Sequence, residues 1–196
     1  AATSSSITVS PVIPDHLEAL LDKLEESGCE IIQKDNSISI KCIDDINAVD
    51  IKTEPFPGFP TDLQAPFMAL MTTAKGKSMI TETIFENRMN HVELLNQMGG
   101  SITVKNNVAH INGVKKLRGT TLVGLDLRSS AALVIAALVS SKTSRIYGLD
   151  HLDRGYENFE LKLSQLGVQV TREITSSILD MSDNKNDNPN KKGISS

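Results

Sequence analysis

Five residues stand where acid–base and anion chemistry could be done: Asp62, Arg88, Asp126, Arg128 and Arg154. Asp62 lies in FPTDLQAPF and Asp126 in GLDLRSSAALV, each just ahead of an apolar stretch. Arg88 precedes HVELL, Arg128 opens an apolar segment, and Arg154 precedes ENFELKL. An acid at a helix entrance is ordinarily a cap, contributing about 1 kcal/mol. Thr61, Asp62, Asp126 and Asp153 all fit that role, and Asn90 could cap the helix after Arg88. Capping does not explain the cations, which the positive end of a helix dipole repels. Arginine makes sense there beside an anion. Free N–H groups, the dipole and a guanidinium fork would then converge on one phosphate or carboxylate. Three of the six arginines are so placed, which predicts a shared anion-binding cleft rather than scattered surface loops. A carboxylate fixed at the same mouth could act as a general base.

Other chemistries find less support. His16, His91, His110 and His151 are scattered outside any metal-ligand spacing, so no metal is expected. Cys29 and Cys42 form no CxxC pair and read as buried, unpaired cytosolic thiols. The net charge of −4 is dispersed, which argues against a nucleic-acid surface. The longest apolar run, Ala131 to Val139, is far short of the ~20 residues that span a bilayer.

The elements that must hold these residues recur along the chain. LDKLEESGCEI, VELLNQMGGSI and ELKLSQLGVQV each read as an amphipathic helix, a glycine past its end, then a strand. Gly28, Gly99 and Gly167 are 71 and 68 residues apart, so the chain repeats at about 70. Alternation predicts strands at Ser37 to Ile43, Ser101 to Val104, Val108 to Ile111, Ser78 to Ile84 and Thr143 to Tyr147. Asn106-Asn107 reads as a hairpin turn. Two apolar helices, after Asp62 and after Asp126, align with each other. This is an α/β architecture of repeated modules. Residues 1–175 form the structured region, about two and a half repeat units, and 176–196 read as a disordered polar tail. The start, AATSSSITV, lacks Met and enters a strand at once, so the chain reads as cut from something longer.

FPTDLQAPF, ETIFENRMNHV, DLRSSAALV and HLDRGYENFELKLSQLG resemble, in that order, the C-terminal half of the UDP-N-acetylglucosamine 1-carboxyvinyltransferase family. The resemblance covers Ala1 to Glu173. It implies an inside-out α/β barrel of βαβαββ units, here incomplete, with helix N-termini facing an interdomain cleft. It implies transfer of enolpyruvyl from phosphoenolpyruvate to the 3-hydroxyl of UDP-N-acetylglucosamine, with phosphate release. This is the committed step of peptidoglycan synthesis in the cytoplasm, and it calls for no cofactor and no metal. By resemblance Asp62 is the proposed base, and Thr61 and Ile84 belong to the sugar-nucleotide contact, Ile84 through its backbone. Arg88, Arg128 and Arg154 surround phosphoenolpyruvate, and Asp126 orients an arginine or shuttles a proton. The family's loop cysteine and catalytic lysine belong to an N-terminal half that nothing here matches. Cys29 and Cys42 do not take that role, and an incomplete domain leaves an apolar face exposed. The alternatives are a non-catalytic sugar-nucleotide-binding half-module and the related shikimate-pathway transferase.

Overall fold

The computed structural model describes residues 1–173. Residues 1–157 make one compact unit, and the described residues from Asn158 onward belong to a second. The expected tail at 176–196 lies outside the described residues.

The first unit is built from β–α–β and α–β–β steps. It opens with β1 (Ser6–Val9), α1 (Glu18–Glu26), β2 (Glu30–Lys34) and β3 (Ser37–Lys41), whose strands pair antiparallel in the order β1-β3-β2. Next come β4 (Ile51–Lys52), α2 (Gln64–Met71), β5 (Lys77–Thr81), α3 (His91–Gln97), β6 (Ser101–Lys105) and β7 (Val108–Asn112). Here β4 and β5 are parallel across α2, and β5-β7-β6 repeats the β1-β3-β2 arrangement. A third stretch runs β8 (Thr121–Val123), α4 (Leu127–Leu138), β9 (Arg145–Tyr147) and α5 (Asp150–Asp153), with β8 and β9 again parallel. One whole βαβαββ unit therefore stands between two partial ones, the pattern behind the repeat of about 70.

Local chemistry sets these elements. Gly28 and Gly99 take φ of +103° and +91° past α1 and α3, where a left-handed residue ends the helix. Asn106 takes φ +56° and turns β6 into β7. Helix α2 is apolar all round and is accordingly buried, with Ala65 and Phe67 to Met71 all inside. It packs on α4, whose Ala132, Leu133 and Ala136 are fully buried, and Met68, Met71, Leu95, Ile80 and Ile111 join the same core. The two helices that carry Asp62 and Asp126 at their entrances are thus side by side. In the second unit, α6 (Phe159–Gln165) ends before Gly167 at φ +89°, and Arg172 reaches Glu160 at 3.4 Å.

Two expectations are corrected. Cys29 and Cys42 are not free thiols but form a disulfide. Glu30 pairs with Lys41 across β2 and β3, so one step outward brings Cys29 opposite Cys42, with Cα atoms 4.6 Å apart. The strand expected over Ser78 to Ile84 stops at Thr81. The chain turns there because the amides of Ile84 and Phe85 bond back to the side chain of Glu82.

Candidate active site

The entrance of α4 is the most completely capped among the described residues. Asp126 accepts from the amides of Arg128 at 2.9 Å and Ser129 at 2.8 Å. The Ser129 hydroxyl in turn accepts from the Asp126 amide at 2.9 Å, completing a capping box. Asn90, ahead of α3, does not cap its own helix. It donates instead to Asp126 at 2.9 Å and ties the two helix entrances together. Burial raises the pKa of Asp126, but the bonds from Ser129, Asn90 and Arg128 outweigh it and hold the carboxyl below its ordinary value. Asp126 is therefore a fixed anion with its oxygens engaged.

Asp62 is different. It lies in a single 3-10 turn, Thr61–Leu63, ahead of α2, and neither it nor Thr61 caps a helix. With no cap to serve, its carboxylate turns outward, to Arg128 Nε at 2.6 Å and Arg88 Nη1 at 3.6 Å. Its side chain is 65% exposed, and a pair so open to water contributes about 1 kcal/mol at most to stability. Arg88 is better held. Its guanidinium lies 3.9 Å over the Phe85 ring and donates to Thr61 Oγ1 at 2.8 Å. Asp62, Arg88 and Arg128 together carry one net positive charge at the junction of α2 and α4, balanced by the fixed Asp126 carboxylate, whose oxygens are already engaged. A bound anion could take one arginine and release the carboxylate to accept a proton.

Arg154 needs correction. It does not open α6, whose first residue is Phe159. It follows Asp153 at the end of α5, where a cation suits the helix dipole. It is exposed and makes no hydrogen bond to the Asp62 cluster. A Cβ on Gly155 would come within 2.8 Å of Leu127, so this turn lies against the α4 entrance. The structure thus joins Asp62, Arg88, Arg128, Thr61 and, through the Arg128 amide, Asp126, and sets Arg154 on a neighbouring turn. Ile84 donates its amide to Glu82 at 2.9 Å.

Sequence reasoning missed Glu82. Ser78, Ile80 and Glu82 alternate on the buried face of β5 and its continuation, and Glu82 is 2% exposed. An acid in phase with buried positions of a strand was the available signal.

His91 is buried rather than free in solvent. It is 1% exposed in α3, and burial lowers its pKa to about 4 against a smaller opposing pull from Asp126. The folded pKa lies below the ordinary 6.5, so the unfolded chain binds the extra proton in that window. Stability should then be complete above about pH 6.5 and fall as the pH drops toward 4, by about 3 kcal/mol over the window. Urea melts across that range should show this slope, and His91→Gln should flatten it. An equal slope in both proteins would remove His91 as its source.

The profile of the family EPSP synthase (3-phosphoshikimate 1-carboxyvinyltransferase) matches residues 1–163. The chain belongs to this family of enolpyruvyl transferases. Among similar proteins of the family is a UDP-N-acetylglucosamine 1-carboxyvinyltransferase of Prochlorococcus marinus subsp. pastoris. It is 73% identical over 195 residues, covering 100% of this chain and 42% of that protein. Another of the same name, from Prochlorococcus marinus strain MIT 9312, is 67% identical over 177 residues, covering 90% of this chain and 39% of that protein. The chain thus spans about two fifths of the relatives it matches. Among solved structures, the enolpyruvyl transferase NikO from Streptomyces tendae superposes with a TM-score of 0.74 at 25% identity, over 83% of this chain and 39% of that one. EPSP synthase from Acinetobacter baumannii gives 0.67 at 15% identity over 87% of this chain, a likeness of fold. The inside-out α/β fold of enolpyruvyl transferases is therefore the fold here. No closed barrel forms among the described residues, as the partial coverage requires.

Proposed function

We propose that this chain supplies one wall of a UDP-N-acetylglucosamine 1-carboxyvinyltransferase. The reaction adds the sugar's 3-hydroxyl oxygen to C2 of phosphoenolpyruvate as C3 gains a proton, giving a tetrahedral ketal. Loss of phosphate from C2 and of a proton from C3 then gives the enolpyruvyl ether. Asp62 takes the hydroxyl proton. Arg88, Arg128 and Arg154 receive the phosphate and carboxylate of phosphoenolpyruvate, and Asp126 orients the α4 entrance. Thr61 and the backbone of Ile84 meet the sugar nucleotide. The partner is the remainder of the enzyme, which completes the cleft, and no cofactor or metal takes part. The reading places the protein in the cytoplasm, where a reducing poise would challenge the Cys29–Cys42 bond.

The observation that carries this reading is the exposed Asp62 carboxylate between Arg88 and Arg128, at 3.6 and 2.6 Å, at the junction of two helix entrances. The relatives' shared name supports the choice of acceptor.

The test is a chimera in which residues 1–173 replace the matching part of the pastoris relative. It should release phosphate from phosphoenolpyruvate when UDP-N-acetylglucosamine is added, and not when shikimate 3-phosphate is. The reverse preference would move the chain to the other branch, and binding without turnover would leave a half-module.

A further inference from the structure

Glu82 is a buried carboxylate with an unusual set of partners. One oxygen accepts from Thr53 Oγ1 at 2.9 Å and from the amides of Ile84 at 2.9 Å and Phe85 at 3.1 Å. The other accepts from Thr61 Oγ1 at 2.8 Å. Its own backbone is clamped by the β6–β7 turn. Asn107 accepts from the Glu82 amide at 2.9 Å and donates to its carbonyl at 2.6 Å. All four donors to the carboxylate are neutral, and Glu82 makes no ion pair among the described residues. Burying a charge without a cation is costly, and a neutral side chain could close most of these bonds.

The connection to Arg88 shows what the charge does. Arg88 Nη1 donates to Thr61 Oγ1 at 2.8 Å, so the hydroxyl proton of Thr61 must point the other way, to Glu82. Guanidinium, hydroxyl and carboxylate form a chain with the charge at its far end. Asp62 already lies 3.6 Å from Arg88 Nη1, and a second carboxylate in direct contact would hold the guanidinium equally well but leave it no positive charge to offer. One hydroxyl away, Glu82 fixes the direction of the guanidinium, with Phe85 stacked beneath it, and leaves its outer N–H groups for a ligand.

We infer that Glu82 is a positioning residue that aims Arg88 at an anionic group of the substrate through the hydroxyl of Thr61. The inference rests on the enolpyruvyl-transfer reading, in which that anion is phosphoenolpyruvate. In Glu82→Gln the amide oxygen can serve Thr53, Ile84 and Phe85, and its NH2 then faces Thr61. The loop survives, but the bond between residue 82 and Thr61 is reversed, so the Thr61 hydroxyl accepts from both the new amide and Arg88 and the charge behind Arg88 is gone. Thr61→Val removes the link from the other side, and Thr61→Ser keeps it.

The experiment is steady-state kinetics of the chimera. Glu82→Gln should raise the KM for phosphoenolpyruvate about tenfold, with kcat and the KM for the sugar nucleotide changed by less than about threefold, and Thr61→Val should raise the KM for phosphoenolpyruvate by about the same factor. Thr61→Ser should recover most of the loss seen with Thr61→Val. The double variant should be no worse than Thr61→Val alone, since both break one chain. Unchanged KM values in both single variants would overturn the inference. So would additive losses, or a loss in Thr61→Ser equal to that in Thr61→Val. If Glu82→Gln does not fold, the Thr61 pair decides alone. A parent chimera that releases no phosphate overturns the enolpyruvyl reading itself, and the inference falls with it.

Discussion

Asp62→Asn in the chimera is expected to lower kcat by about 100-fold or more, the scale of a lost general base. The fold should survive. Asp62 caps no helix, its side chain is 65% exposed, and its bonds are to arginines that are themselves partly open to water. Removing such a pair costs about 1 kcal/mol or less. Asparagine keeps the size of the side chain and an oxygen for Arg128 Nε, so the two arginines should stay near their places. What it cannot do is take a proton from a hydroxyl. The loss should therefore fall on kcat, with the KM for phosphoenolpyruvate little changed. Arginine variants should behave differently, because they remove ground-state contacts to the anion as well. Turnover near that of the parent chimera would take the base role away from Asp62.

The sequence made some parts of this site legible and hid others. The repeat was readable because each helix end needs a residue with positive φ, and glycine at 28, 99 and 167 marks it. The buried pair α2 and α4 was readable because a helix apolar on every face has to be enclosed. Asp126 was readable as a cap, since Asp followed by Ser at the third helical position is a local pattern. Asp62 looked the same in the sequence, yet it caps nothing. A 3-10 turn intervenes before α2, and Pro60 holds the cap position. Arg154 looked like a residue opening a helix because a one-turn helix just before it, Asp150–Asp153, is too short to leave a periodic signal. The Glu82 network was hidden for another reason. Thr53, Thr61, Ile84, Phe85 and Asn107 come from four separate segments, and only the tertiary fold brings them all to Glu82, the first four to its carboxylate and Asn107 to its backbone. The Cys29–Cys42 bond needed the register of β2 on β3, which depends on the turn between them.

The 196-residue chain by itself is expected to release no measurable phosphate with both substrates present. The reason lies in how open the site is. Asp62 has a side chain 65% exposed, and that of Arg128 is 33% exposed. Charges in contact with water interact through a high dielectric, where a pair at 4 Å is worth only ~1 kcal/mol. Stabilising the charge that develops in the ketal step, and protecting it from solvent, needs the same groups in a closed, drier cavity. Two apolar side chains beside the cluster, Phe85 next to Arg88 and Leu125 next to Asp126, are about half exposed. They fit a surface that another wall covers. Adding the preceding part of the pastoris relative as a separate chain should restore phosphate release if the two parts assemble. Restored turnover should disappear again in Asp62→Asn, which ties it to this wall. Phosphate release by the chain alone, lost in Asp62→Asn and unaffected by replacing Cys29 and Cys42 with serine, would show that one wall suffices and that closure is not required.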